Sequence, residues 1–136
     1  MKYLIKTAYE KTSDTGKIII VKEQYLTEAE LFGEAEQKAY EYIKPFVNGQ
    51  QRVTGISECR FQEMFLDNEG DKYFKAKVDF TVEDDKGKDK VTTESMLISA
   101  DNITDAKNFF EDGMAQSMAD WTLVGISETK IVDIIE

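Results

Sequence analysis

The stretch Gly55-Ile56-Ser57-Glu58 returns as Gly125-Ile126-Ser127-Glu128 near the other end of this 136-residue chain, and the fold is read outward from that recurrence. A slide of 71 residues pairs Tyr3 with Phe74, Tyr9 with Phe80, Gly16 with Gly87, Glu23 with Glu94 and Leu26 with Leu97. It continues through Ala29 with Ala100, Ala35 with Ala106 and Ile43 with Met114, and then one residue is dropped, so the Gly-Ile-Ser-Glu copies lie 70 apart. Self-similarity at a fixed period sets the architecture before any local signal is weighed. The chain reads as one domain of two repeats, 1–66 and 72–136, joined by a hinge at 67–71.

Within each copy the hydrophobic period changes in the same order. Tyr3, Ile5, Thr7 and Tyr9 alternate on one face of a strand, a polar turn ends in Gly16, and Ile18 to Leu26 returns. Ile18-Ile19-Ile20-Val21 is apolar on both faces and is expected to be central in a sheet. From Gly33 to Phe46, Ala35, Ala39, Tyr42, Ile43 and Phe46 form one helical stripe, with Pro45 in the last turn. Arg52 to Leu66 is a third extended stretch, and Gly55 inside it signals a bulge or a close backbone approach.

The second copy repeats this with Phe74, Ala76, Val78 and Phe80 on one face, a charged hairpin loop from Glu83 to Lys90, and a return strand from Val91 to Ser99. Its helix is expected to be capped by Thr104 and to bury Ala106, Phe109, Phe110, Gly113, Ser117 and Met118, with Met114 also read as core. Thr122 to Ile135 is the last strand. Each copy is thus β-β-α-β with strand order 2-1-3, and the fold class is α+β. Six mainly antiparallel strands and two helices are expected, related by a pseudo-twofold axis.

Composition narrows the function. A hydrophobic share of 41% with 15 aromatic residues argues for a packed globule. The absence of a long apolar run or a signal-like start points to the cytoplasm and away from a membrane. The single Cys59 reads as a small apolar strand residue. Residues 1–66 carry 9 Lys+Arg and 10 Asp+Glu, whereas residues 67–136 carry 8 and 17, so the second copy holds nearly all of the net −10 charge. Such a field disfavours direct nucleic-acid binding.

Chemistry-bearing patterns are sparse. The chain has no histidine, which removes the commonest general base and every Ser-His or Cys-His pair. Neither a P-loop nor a Gly-x-Gly-x-x-Gly pattern occurs. The acidic run Asp67 to Asp71 lacks the ligand spacing of a calcium loop. No cofactor, no metal and no catalytic residue is expected. Candidate interface residues are Gly55, Ser57, Glu58, Gly125, Ser127 and Glu128, placed alike in both copies, and the acids Asp84, Asp85, Asp101, Asp105 and Asp112.

Several stretches carry a resemblance: Glu94-Ser95-Met96-Leu97-Ile98, Gly113-Met114, Ser117-Met118-Ala119-Asp120-Trp121 and Ile126-Ser127-Glu128-Thr129-Lys130, with Glu23-Gln24-Tyr25-Leu26, Glu34-Ala35-Glu36 and Lys75-Ala76-Lys77. At these residues the chain resembles an uncharacterised family of small acidic proteins from Bacteroidetes and their phages and mobile elements, a domain of unknown function. The resemblance implies a phage or mobile-element accessory protein and brings no activity with it. The favoured expectation is a non-catalytic protein that binds a protein partner, with homo-oligomerisation open. One alternative is an acidic, DNA-mimic-like inhibitor of a host nucleic-acid-binding or defence enzyme. The other is a sponge for a nucleotide-like molecule held by Lys2, Lys72, Tyr3, Tyr73, Arg52 and Arg60.

Overall fold

In a computed structural model, described here for all residues except Glu69, the chain is a mixed α+β protein of eight strands in two sheets with two α-helices. Glu69, in the expected hinge and the acidic run, lies outside the described residues. The strands are β1 (Lys2–Thr12), β2 (Ile18–Glu28), β3 (Gln51–Cys59), β4 (Glu63–Phe65), β5 (Lys72–Glu83), β6 (Asp89–Ala100), β7 (Asp120–Glu128) and β8 (Ile131–Ile135). The helices are α1 (Phe32–Ile43) and α2 (Ile103–Met114), with a short 3-10 turn over Lys44–Phe46.

Two compact units divide the chain. The first holds Met1–Arg60 and Lys130–Glu136, and the second holds Phe61–Thr129. Sheet order is β3-β1-β2-β8 in the first unit and β4-β6-β5-β7 in the second. The expected order 2-1-3 is present in both, but the expected six strands are eight. Each long terminal stretch of the sequence reading breaks in two, at Arg60–Gln62 and at Thr129–Lys130. The break is where the chain leaves one sheet for the other. β4 follows β3 in sequence yet runs parallel to β6, pairing Glu63 with Met96 and Phe65 with Ile98. β8 follows β7 yet runs parallel to β2, pairing Asp133 with Tyr25 and Ile135 with Thr27.

The first unit's core lies between the sheet and α1. Tyr3 and Ile5 of β1 pack with Ala29, Ala35 and Ala39, while Tyr9, Tyr25, Ile43 and Ile135 form a second cluster. Three residues of the expected α1 stripe, Ala35, Ala39 and Ile43, are buried. Phe46 is not, because Pro45 turns the last residues into the 3-10 segment and takes Phe46 off the stripe.

In the second unit Phe74, Ala76 and Val78 pack on Met96, Ile98, Ala106, Phe110 and Met114. Phe110 lies edge-on to both Phe65 of β4, with ring centroids 6.4 Å apart, and Trp121 of β7, at 5.4 Å. Gly113 is needed for this close packing, since a Cβ there would meet the Phe65 ring at 2.6 Å. The cap of α2 is Asn102 and not Thr104. Its side chain accepts from the Asp105 N–H at 2.8 Å, and asparagine is the better cap residue. The helix stops at Met114, so Ser117 and Met118 fall beyond the stripe, and Met118 is wholly exposed.

Both hairpins turn through a glycine of positive φ, Gly16 at 81° and Gly87 at 77°, as the turn chemistry requires. Gly55 and Gly125 mark bulges. The register slips opposite Lys6/Thr7, leaving Thr54 as the extra residue, and opposite Lys77/Val78, leaving Val124. No described helix is long and apolar enough to cross a membrane.

Candidate functional site

The candidate site is on the first unit, on the sheet face turned away from α1. Because Tyr3, Ile5 and Tyr9 face the helix core, the even residues of β1 point the other way. Register then builds a row across three strands: Arg52 of β3 and Lys22 of β2 both lie opposite Ala8 of β1. In the next row Lys6 pairs with Gln24 on one side and Gly55 on the other. Lys6, Ala8, Lys22, Gln24 and Arg52, with Thr54 and Lys130, line an open depression of about 390 Å³. Ala8 is its floor, only 4% exposed between two long cations.

The one acid on the lining, Glu23, is already engaged. It accepts hydrogen bonds from the hydroxyls of Tyr9, at 3.0 Å, and of Tyr25. Burial, then the Glu23 hydrogen bond, then its charge hold both phenols above their ordinary value. Tyr42, whose ring meets Tyr25 at 5.0 Å, donates its hydroxyl to Asp133 of β8. Glu23 and Asp133 are thus both engaged by tyrosine hydroxyls. The cations on the open face are exposed, and the ion pair recorded among the described residues is elsewhere, Lys72 to Glu128 at 3.1 Å.

Beside this row runs an unpaired edge. β8 covers β2 only from Gln24 to Thr27, so among the described residues no strand lies on the outer edge of 18–23. The Ser13 N–H bond to the Lys17 carbonyl, 2.7 Å, fixes the alternation of the hairpin, which turns the backbone groups of Ile18, Ile20 and Lys22 outward. Ile18 and Ile20 are 71% and 66% exposed. The expectation that this run is central in a sheet is corrected: β2 is an inner strand only along its second half.

The sequence-derived candidates are divided between the two units. Gly55, Ser57 and Glu58 lie on β3 of the first unit, and Gly125, Ser127 and Glu128 lie on β7 of the second. Glu128 forms the ion pair with Lys72. Asp84 accepts from the N–H groups of Lys86 and Lys88 and so builds the hairpin turn. Asp101 accepts from the Asp71 N–H, and Asp105 accepts from the Asn102 side chain at the start of α2. Asp85 and Asp112 are exposed. Asp84 and Asp101 stand beyond opposite ends of the 12-residue β6, about 35 Å apart at the usual rise of a strand.

Of the residues proposed for a small-molecule site, Arg52 lines the depression, whereas Tyr3 is buried in the core with its ring 5.8 Å from that of Phe32. Sequence reasoning missed Lys6, Lys22 and Lys130. The hairpin register centred on the Asp14–Gly16 turn would have put Ala8 beside Lys22. Among the described residues no group of three or more acids and cysteines is close enough to hold a metal ion. Residues 2–136 match the family model described as Domain of unknown function (DUF4494). A comparison with curated proteins finds no match.

Proposed function

The chain belongs to this family, whose description assigns no activity, and we propose from the geometry that it is a non-catalytic binding protein that docks an extended segment of a partner protein. In line with the resemblance, the setting proposed is the bacterial cytoplasm, as a phage or mobile-element accessory protein. The observation that supports this reading is the open edge of β2. An exposed apolar edge is a template for strand addition, and proteins normally blunt such edges with charge. The corresponding edge of the second unit is blunted: Asp89, Lys90, Val91, Thr92, Thr93 and Glu94 stand where the first unit has Ile18, Ile19, Ile20, Val21, Lys22 and Glu23.

The same backbone thus does without isoleucines at this edge, and their presence in the first unit is not demanded by the sheet. A docked strand would bury Ile18 and Ile20, gaining about 1.5–3 kcal/mol for each side chain. Its charge should complement Lys17 and Lys22, so the favoured partner segment is apolar with flanking acids. The absence of histidine and the dispersal of the acids support a role without catalysis.

The test is a pull-down of tagged wild type, Ile20→Pro and Val91→Pro from nuclease-treated host lysate, read by mass spectrometry. Proline at 20 removes an outward N–H and spares the ladder to β1. The expected result is a partner lost with Ile20→Pro and kept with Val91→Pro, whose complex protects the Ile18, Ile20 and Lys22 amides from exchange. A partner kept by Ile20→Pro, or protection elsewhere, refutes the reading. A self-associated dimer protected at those amides would replace the partner by a second copy and refute it equally.

A further inference from the structure

We infer that the depression over Ala8 is an anion site, built for the oligophosphate group of a small molecule and held by Arg52, Lys22 and Lys6. Three observations converge on it. The first is the row itself. Arg52 and Lys22 flank Ala8 on adjacent strands, so their Cα atoms stand about 10 Å apart, two strand spacings. Two long side chains on that spacing can close on one phosphate or a short phosphate chain from both sides. The small floor residue leaves room for it, and the guanidinium supplies the planar fork that grips phosphate oxygens in pairs. Lys6 and Lys130 add positive charge along the rim.

The second is composition. The first unit carries 10 Lys+Arg and 11 Asp+Glu, whereas the second carries 7 Lys and 16 Asp+Glu. Four cations around one depression are therefore not the average surface of this protein. They sit on its near-neutral unit, and the single acid of the lining is turned to the tyrosines of the helix face.

The third is the corresponding row of the second unit, which serves as an internal control. There Asp79 lies opposite both Thr93 and Thr122, and Thr93 donates its hydroxyl to Asp79 at 2.7 Å. Arg-Ala-Lys in one sheet is Thr-Asp-Thr in the other, in the same register beside the same bulge. The sheet tolerates either set, so the cations are not there to hold it together. A row with a central acid repels phosphate, and a row with two flanking cations attracts it.

The ligand class follows from this chemistry. The site is open and cationic, without a deep apolar cavity for a base, so the phosphate chain is the recognised part. It comes either as free pyrophosphate or tripolyphosphate, or as the tail of a nucleotide. Affinity should fall with added salt, because exposed charges are screened over about 8 Å at physiological ionic strength.

The experiment is a titration of the full chain with inorganic pyrophosphate at low ionic strength, followed by amide NMR. Saturable one-site binding is expected, with shifts at Lys6, Ala8, Lys22, Arg52 and Thr54. Arg52→Thr with Lys22→Thr should weaken it at least tenfold while the remaining amide spectrum keeps its dispersion. The converse graft, Asp79→Ala with Thr93→Lys and Thr122→Arg, should raise the stoichiometry from one to two. A parallel arm compares tripolyphosphate with ATP. Equal affinity assigns the phosphate chain alone, tighter ATP assigns a nucleotide, and either supports the site. Unsaturable shifts spread over Lys86, Lys88 and Lys90, or an unchanged affinity in the Arg52/Lys22 variant, would overturn the inference. Ile20→Pro adds and removes no charge and should leave pyrophosphate binding in place, so this site and the strand-docking reading fail separately.

Discussion

Replacing Ile135 by alanine should weaken the first unit, although the residue belongs by sequence to the far end of the second repeat. Ile135 is 7% exposed and packs with Tyr9, Tyr25 and Ile43, and its carbonyl accepts from the buried Thr27 hydroxyl at 2.9 Å. The hydrogen bond uses the backbone and survives the substitution, so the loss is one of packing. Ile→Ala in a core costs about 2–5 kcal/mol, and a site on a terminal edge strand that can partly collapse belongs near the lower end, about 2–3 kcal/mol. A loss of that size accelerates exchange through unit opening by roughly 30- to 150-fold. Hydrogen exchange read by mass spectrometry should show this in peptides from β1, β2, β3 and α1. Fast exchange confined to β5, β6 and β7, with β1–β3 unchanged, would put residues 131–135 in the other sheet and refute the strand exchange.

Two further outcomes follow from the cores. Phe110→Ala removes a fully buried ring and its two edge-on aromatic contacts in the second unit, at about 3–5 kcal/mol. Denaturant unfolding followed by the emission of Trp121, the only tryptophan, should show the loss directly. In an alkaline absorbance titration, Tyr9 and Tyr25 should ionise above the ordinary phenol value of about 10. Their folded values are raised, so their contribution to stability is whole below about pH 10 and is lost as pH rises toward the folded values. Glu23→Gln should bring both phenols down part of the way, since burial, the larger cause, remains. Unchanged titration in Glu23→Gln would remove the carboxylate from the account.

What could be read from the sequence follows from which signals are local. The alternation Tyr3-Ile5-Thr7-Tyr9, the glycine turns at 16 and 87 and the Ala35-Ala39-Ile43 stripe depend on period and backbone conformation, and all are present in the structure. The bulges at Gly55 and Gly125 were legible for the same reason. The fate of residues 60–66 and 129–135 was not. Glu63-Met64-Phe65 and Ile131–Ile135 read as strand continuations, because nothing local tells which sheet a strand joins. Parallel pairing with β6 and β2 is a long-range choice. The exposure of Ile18 and Ile20 was hidden behind the same ambiguity: an apolar run is central only if its neighbours are as long as it is, and β8 is five residues against the eleven of β2.

The candidate site was hidden for a different reason. Lys6, Lys22 and Arg52 are ordinary solvated cations when taken one at a time, and only the pairing of three strands sets Lys22 and Arg52 on either side of Ala8 with Lys6 in the next row. At that row and at the edge of β2 the two sheets differ in chemistry while keeping one register. Exposed substitutions away from cores and caps usually change stability by less than about 0.5 kcal/mol. Neither Lys22 and Arg52 nor Ile18 and Ile20 are therefore held in place by folding, and the contrast with Thr93, Thr122, Asp89 and Val91 needs another cause. The docking edge and the anion site proposed for the first unit would supply one.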